Sequence, residues 1–305
     1  MTIIEAALEK TKALRGHRPE PLSPPGGIQH DYSRRAADRG SPVDRANDTI
    51  PAPVAPSTQI QAHRVAFDPE AARENRLLLS ATLPEDHGTI AAYGMLRTRI
   101  LHRTRTKNWR TVGLTSAAPQ DGKSLTAVNL ALSLAREKNS SVVLLDLDMR
   151  NPSVCRTLGI TPPTELRDFF ERRVDTPQDL FMSIGIDNLL IAGNVTATDN
   201  SAELLASNRL EELLDFIRRT TVNPLILIDL PPVLSPDDTL VVAPRIDSLV
   251  LVAAEGKTPR ADIQKAGELL ADFPIVGLVL NRSSETVQGY GYGYGYGQRS
   301  GSGQT

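Results

Sequence analysis

Five apolar runs of six to eight residues, rich in β-branched side chains, punctuate the chain at 111–116, 141–147, 224–230, 247–254 and 275–281. None alternates with polar residues, so each is expected to be a strand buried on both faces of a parallel sheet. Between them, apolar residues recur with a helical period, and this predicts helices over 123–137, 202–220 and 258–272, with a shorter one over 238–244. Residues 151–200 carry a weaker pattern, read as a short helix at 165–172 and a strand pair around 181–192. Ahead of the first strand, 89–103 predicts a helix with Ile90, Tyr93, Leu96 and Ile100 on one face. Its other face carries Arg97, Arg99 and Arg103, as a solvated face or a contact surface. Order is expected to begin near Val65-Ala66-Phe67. Strands alternating with helices imply an α/β fold: a mostly parallel sheet flanked by helices, with its ligand site at the carboxyl ends of the strands.

The flanks read differently. Residues 1–15 place Ile3, Ile4, Ala7, Leu8, Thr11 and Leu14 on one side of a short helix. A helix of that length is marginal alone in water, so it is expected to dock on a partner, with a membrane surface second. Residues 16–64 hold repeated prolines, Gly26-Gly27 and mixed charges with no apolar period, a linker expected to stay disordered. The folded domain is expected over 65–287. Residues 288–305 form a flexible tail in which Tyr290, Tyr292, Tyr294 and Tyr296 alternate with glycine.

Composition narrows the class. A formal charge of −2 gives no general attraction to nucleic acid or anionic lipid. The single cysteine, Cys155, cannot form an internal disulfide and reads as an ordinary buried thiol. No apolar run approaches the roughly 20 residues that span a bilayer, and no signal peptide opens the chain. The expected location is cytoplasmic.

The chemistry gathers at strand ends. Ala117-Ala118-Pro119-Gln120-Asp121-Gly122-Lys123-Ser124 lies between the first strand and the first long helix. A loop there offers consecutive N–H groups and a helix N-terminus to phosphate. Pro119, Gln120, Asp121, Gly122 and Leu125 would frame the nucleotide. Lys123, in a solvent-facing loop, would reach the β- and γ-phosphates, and Ser124 would bind Mg²⁺. The usual first glycine of this P-loop is Ala117. The second strand ends in Asp146-Leu147-Asp148-Met149-Arg150 and the third in Asp229-Leu230-Pro231-Pro232. Carboxylates on apolar strands are costly to bury unless paired or metal-bound, so Asp146, Asp148 and Asp229 are candidate Mg²⁺ ligands of an ATP site.

This set resembles the bacterial tyrosine kinases of exopolysaccharide and capsule synthesis, P-loop ATPases unrelated to eukaryotic kinases. The resemblance runs from about Thr89 to Tyr296, through the P-loop, Asp146-x-Asp148-x-Arg150, Asp229-Leu230-Pro231-Pro232-Val233, Asp238, the stretch 201–207, Asn281-Arg282 and the tyrosine cluster. It implies a P-loop NTPase fold and ATP- and Mg²⁺-dependent autophosphorylation of Tyr290, Tyr292, Tyr294 and Tyr296. The transfer would be controlled by a membrane-spanning polysaccharide co-polymerase that residues 1–15 contact from the cytoplasmic side. On this reading Lys123, Asp146, Asp148, Arg150 and Asp229 are catalytic, with Asp146 the favoured base. Arg150 would steady the transferring group or pair with Asp148, and Asn281 would read the base edge or form a turn. A ring-shaped homo-oligomer is the family's habit, but two of the three residues that build it are Ala91 and Gly94 here, with Arg97 the third. The rival function is an ATP-gated scaffold of a polysaccharide export complex without kinase activity. A partitioning-type ATPase is set aside because Ala118 stands where that class has a lysine. No nucleic-acid partner is expected.

Overall fold

The computed structural model describes residues 60–78, 87–137, 141–235 and 238–283. The expected docking helix at 1–15, nearly all of the linker and the tyrosine tail at 288–305 lie outside the described residues. Eight strands form one sheet in the order β1-β4-β5-β3-β6-β2-β7-β8. They are β1 (His63–Arg64), β2 (Thr111–Ser116), β3 (Ser141–Asp146), β4 (Met182–Ser183), β5 (Leu189–Ala192), β6 (Pro224–Asp229), β7 (Ser248–Ala254) and β8 (Ile275–Asn281). All neighbours run parallel except the β4–β5 pair. The mostly parallel α/β sheet expected from the apolar runs is present. β1 joins it ahead of the expected domain start at 65, by pairing with β4.

The helices are α1 (Pro69–Glu74), α2 (His87–Lys107), α3 (Lys123–Leu134), α4 (Val154–Leu158), α5 (Leu166–Phe170), α6 (Ser201–Ala206), α7 (Arg209–Thr220), α8 (Asp238–Val242) and α9 (Arg260–Leu269). They cover the sheet on both faces. Because strand side chains alternate, Val142 and Leu144 of β3 face one core, with Leu130 and Leu134 of α3. Val143 and Leu145 face the other, with Leu210, Leu213 and Ile217 of α7. Gly113 lets β2 sit against its neighbours, since a Cβ there would lie 2.7 Å from both Ile246 Cδ1 and Leu230 Cδ1.

Three expectations change. The stretch 202–220 is two helices, broken at Ser207, whose backbone is extended. Arg245 donates to the carbonyls of Leu205 (2.6 Å), Ala206 (2.7 Å) and Ser207 (3.1 Å), and so satisfies the helix end that the break exposes. β8 is not buried on both faces: as the last strand of the sheet it leaves Leu280 43% exposed. Arg97 is not on a solvated face. It donates to the Ser133 carbonyl at 3.1 Å and lies 3.6 Å from Glu137, while Arg99 and Arg103 are exposed.

Candidate active site

β2, β3 and β6 end side by side, because β6 lies between the other two. The register sets Asp146 of β3 directly opposite Asp229 of β6. The P-loop leaves β2 at the same end and runs into α3. Its turn is built locally. Gln120 (φ 63°) and Gly122 (φ 91°) are left-handed, and the Asp121 carboxylate accepts the Ala118 N–H at 3.1 Å. At Gly122 any Cβ would sit 1.9 Å from Asn281 Nδ2, so both the backbone and the space require glycine. The first N–H groups of α3 have no acceptor within the helix, which leaves them for an anion.

Lys123 is buried, contrary to the solvent-facing place expected for it. Its Nζ lies 2.6 Å from Asp148 Oδ2 and 3.4 Å from Asp229 Oδ1, and it donates to Ser124 Oγ at 3.2 Å. Asp146 is held by the chain that follows it. Its Oδ2 accepts the N–H groups of Ser153 and Val154, each at 2.9 Å, and its Oδ1 accepts that of Asp148 at 3.2 Å. Ser153 also donates from Oγ to Ser124 Oγ at 2.7 Å, which links the end of β3 to the start of α3. Beneath the strand end, Asn194 donates to the Asp146 carbonyl at 3.1 Å.

Three buried carboxylates therefore face one ammonium. Burial by itself would lower the Lys123 pKa, but Asp229, Asp148 and Asp146 outweigh it, so the amine is raised and stays charged. Burial pushes Asp146 up to about 8 and Asp229 adds to this, against the pull of the Val154 N–H, Lys123 and the Ser153 N–H. Asp229 is also raised by burial, with Lys123 and Ser124 pulling the other way. One Asp229 oxygen, Oδ2, is buried without a hydrogen-bond partner. A donor set of carboxylates and a hydroxyl, short of positive charge and with one orphaned oxygen, fits a hard divalent cation such as Mg²⁺.

Other expected residues fall close by in different pairings. Arg150 pairs with Asp238 at 3.4 Å, not with Asp148, and Asp238 also accepts from Ser201 Oγ at 2.5 Å. That triad ties the end of β3 to α6 and α8. Asn281 donates to the Asp121 carbonyl at 3.0 Å, which places it on the P-loop. Cys155 is buried, and burial, then Asp146 and Glu165, push its thiol up to about 12, as expected of an unreactive thiol. Ser153, Asn194 and Lys257 were not singled out in the sequence. Ser153 alone had a signal there, as the first hydroxyl after the Asp146–Arg150 run.

Comparison with known proteins gives consistent likenesses. The ParA family model, described as a NUBPL iron-transfer P-loop NTPase, matches residues 110–294. The tyrosine-protein kinase YwqD of Bacillus subtilis is 29% identical over 217 residues, 68% of this chain and 87% of that protein. The tyrosine-protein kinase CpsD of Streptococcus pneumoniae serotype 4 is 29% identical over 187 residues, 59% of this chain and 79% of that one. Among solved structures, the VpsO kinase domain superposes with a TM-score of 0.57 at 28% identity, covering 65% of this chain and 97% of its own. Among the described residues no helix is long and apolar enough to cross a membrane.

Proposed function

The chain belongs to the ParA family of P-loop NTPases and is a protein-tyrosine kinase of the bacterial P-loop type; from that premise we propose that it transfers the γ-phosphoryl group of ATP to its own C-terminal tyrosines. Ala118, where a lysine was expected of that class, therefore does not place the chain outside the ParA family. The iron-transfer role in the family description has little to draw on here. Iron–sulfur clusters are held by several thiolates, and this chain has the single, buried Cys155.

The observation that carries the proposal is the buried cluster of Lys123, Asp148 and Asp229, with Asp146 in register beside it, at the mouth of the P-loop. Phosphoryl transfer needs positioning and charge neutralisation more than covalent chemistry; this cluster would supply the first directly and the second through Lys123 and the Mg²⁺ it would hold. Lys123 would exchange its carboxylate partners for the β- and γ-phosphates, with the free N–H groups of the loop and of the first turn of α3 around them. Ser124, Asp229 and one of Asp146 and Asp148 would hold Mg²⁺, which when bound neutralises charge on the phosphates. The other carboxylate would accept the phenol proton as the hydroxyl attacks. Arg150, fixed by Asp238, holds the strand end in place instead of pairing with Asp148. Asn281 has its amide nitrogen committed to the P-loop, which supports a place beside the nucleotide.

The tail has the reach. From Asn281 to Tyr296 is 15 residues, at most roughly 50 Å when extended, enough to enter a neighbouring copy's site. The biological setting inferred from the resemblance is control of polysaccharide synthesis, beside a membrane-spanning activator at the inner face of the membrane. Intact mass of the purified protein with that activator, before and after Mg-ATP, tests the activity. Mass should rise in steps of one phosphate and return after phosphatase; an unchanged mass overturns the kinase assignment.

The amphipathic pattern of residues 1–15 motivates the partner proposal. Deleting those residues should weaken co-purification with the activator's cytoplasmic segment. Undiminished binding would exclude them as the dock.

A further inference from the structure

The outer side of the phosphate loop is gripped by side chains that take no part in the chemistry above. Lys257, in the turn between β7 and α9, donates from Nζ to the carbonyls of Pro119 (3.1 Å) and Gln120 (3.0 Å). Arg282, the residue after β8, donates from Nη2 to the same Gln120 carbonyl at 3.0 Å. With Asn281 on the Asp121 carbonyl, three consecutive carbonyls of the loop are pinned from one side. Two of the three donors are cations, and both are exposed residues.

A trans peptide is planar, so its carbonyl and the N–H that follows point in opposite directions. No peptide among the described residues is cis. Holding the carbonyls of Pro119, Gln120 and Asp121 outward therefore turns the N–H groups of Gln120, Asp121 and Gly122 to the opposite side of the loop. Anion-binding loops are made of consecutive N–H groups turned one way. The left-handed backbone of Gln120, at φ 63°, is uncommon for a residue with a side chain and needs such support. A cation on a carbonyl also polarises that peptide and makes its N–H a stronger donor.

We propose that Lys257 and Arg282 are positioning residues, which set the phosphate affinity of the loop from behind without touching the nucleotide. The proposal rests on the nucleotide reading of the P-loop and not on the identity of the phosphoryl acceptor. Nothing in it requires the tail.

The test uses the full-length protein with Lys257→Gln, Arg282→Gln and the double variant. Affinity is measured for Mg-ADP by calorimetry and for inorganic triphosphate by competition, alongside thermal melting without nucleotide. The double variant is expected to bind both probes about ten-fold more weakly, the scale of hydrogen bonds to a charged group. Its melting temperature should match that of wild type, and Lys257→Arg should keep near-wild-type affinity. Unchanged affinity for both probes overturns the proposal. So does a loss confined to Mg-ADP, because that would mark contact with the base or sugar. A loss matched by a fall in melting temperature would overturn it as well, since general destabilisation would then explain the effect. If the wild-type protein binds neither probe, the nucleotide reading itself fails and the clamp with it.

Discussion

Lys123→Ala should reduce phosphate incorporation by at least about 10²–10³-fold, the cost of removing one preorganised charge donor from a transfer site. The reason is its position: Nζ stands 2.6 Å from Asp148 and 3.4 Å from Asp229, where the phosphates and their metal would meet the carboxylates. The same position adds a second effect. Because Lys123 is buried among Asp146, Asp148 and Asp229, its removal leaves carboxylates without their counter-charge. Breaking a buried ion pair from one side costs about 3–5 kcal/mol, although the orphaned carboxylates can soften this by taking up protons. The nucleotide-free variant should therefore melt several degrees below wild type while keeping its circular-dichroism spectrum. A folded variant that incorporates phosphate at the wild-type rate would remove Lys123 from the active site. A variant as stable as wild type would contradict the ion cluster.

Replacing Tyr290, Tyr292, Tyr294 and Tyr296 with Phe should bring phosphate incorporation nearly to zero while Mg-ATP binding is retained. The substitution keeps the aromatic area and removes every tyrosine hydroxyl of the tail, and no residue of the Lys123 cluster changes. Six tyrosines occur in the chain, so Tyr32 and Tyr93 remain. Tyr93 is a poor acceptor, since it packs on the core beside Asn129 and Thr126, and burial raises its pKa. Each phosphate carries about −1.5 to −2 charges, so four would add about −6 to −8 to a chain whose formal charge is −2. A charge of that size would drive neighbouring tails apart, and oligomers of the Phe variant should therefore persist in Mg-ATP where those of wild type dissociate. An export scaffold without kinase activity would show no difference between the two proteins. Phosphopeptide mapping decides the matter: wild-type protein, activator and Mg-ATP with no phosphate on any of the four tyrosines would defeat the kinase function.

Ala91 and Gly94, at positions where the resemblance implies ring contacts, bear on the oligomer part of that result. The remaining member, Arg97, is held within its own chain by Ser133 and Glu137. A copy-to-copy contact through α2 would have to displace those bonds.

The strands and most helices were legible because apolar period is a local property. β2 and β8 span 111–116 and 275–281, as the apolar runs predict. The candidate site residues were legible for a related reason. Burying a carboxylate on an apolar strand is costly, so Asp146, Asp148 and Asp229 stood out without any knowledge of their neighbours. Pairings were not legible, because each joins residues far apart in sequence that only the strand order brings together. Arg150 meets Asp238 and not the nearby Asp148, and Lys257 meets the P-loop from the loop after the neighbouring strand β7. The helix over 202–220 breaks at Ser207 where Arg245 takes the freed carbonyls, a contact that no periodicity encodes. β8 reads as a buried strand and is half open, because burial depends on the place in the sheet order and not on composition. The sequence by itself determined most of the segments that are strands and helices and which carboxylates would gather at the strand ends, since both follow from local period and the cost of buried charge. Tertiary structure alone decided which charge answers which, that Lys123 is buried, and what holds the phosphate loop in shape, since those depend on β6 lying between β3 and β2 and on β7 and β8 lying beyond β2.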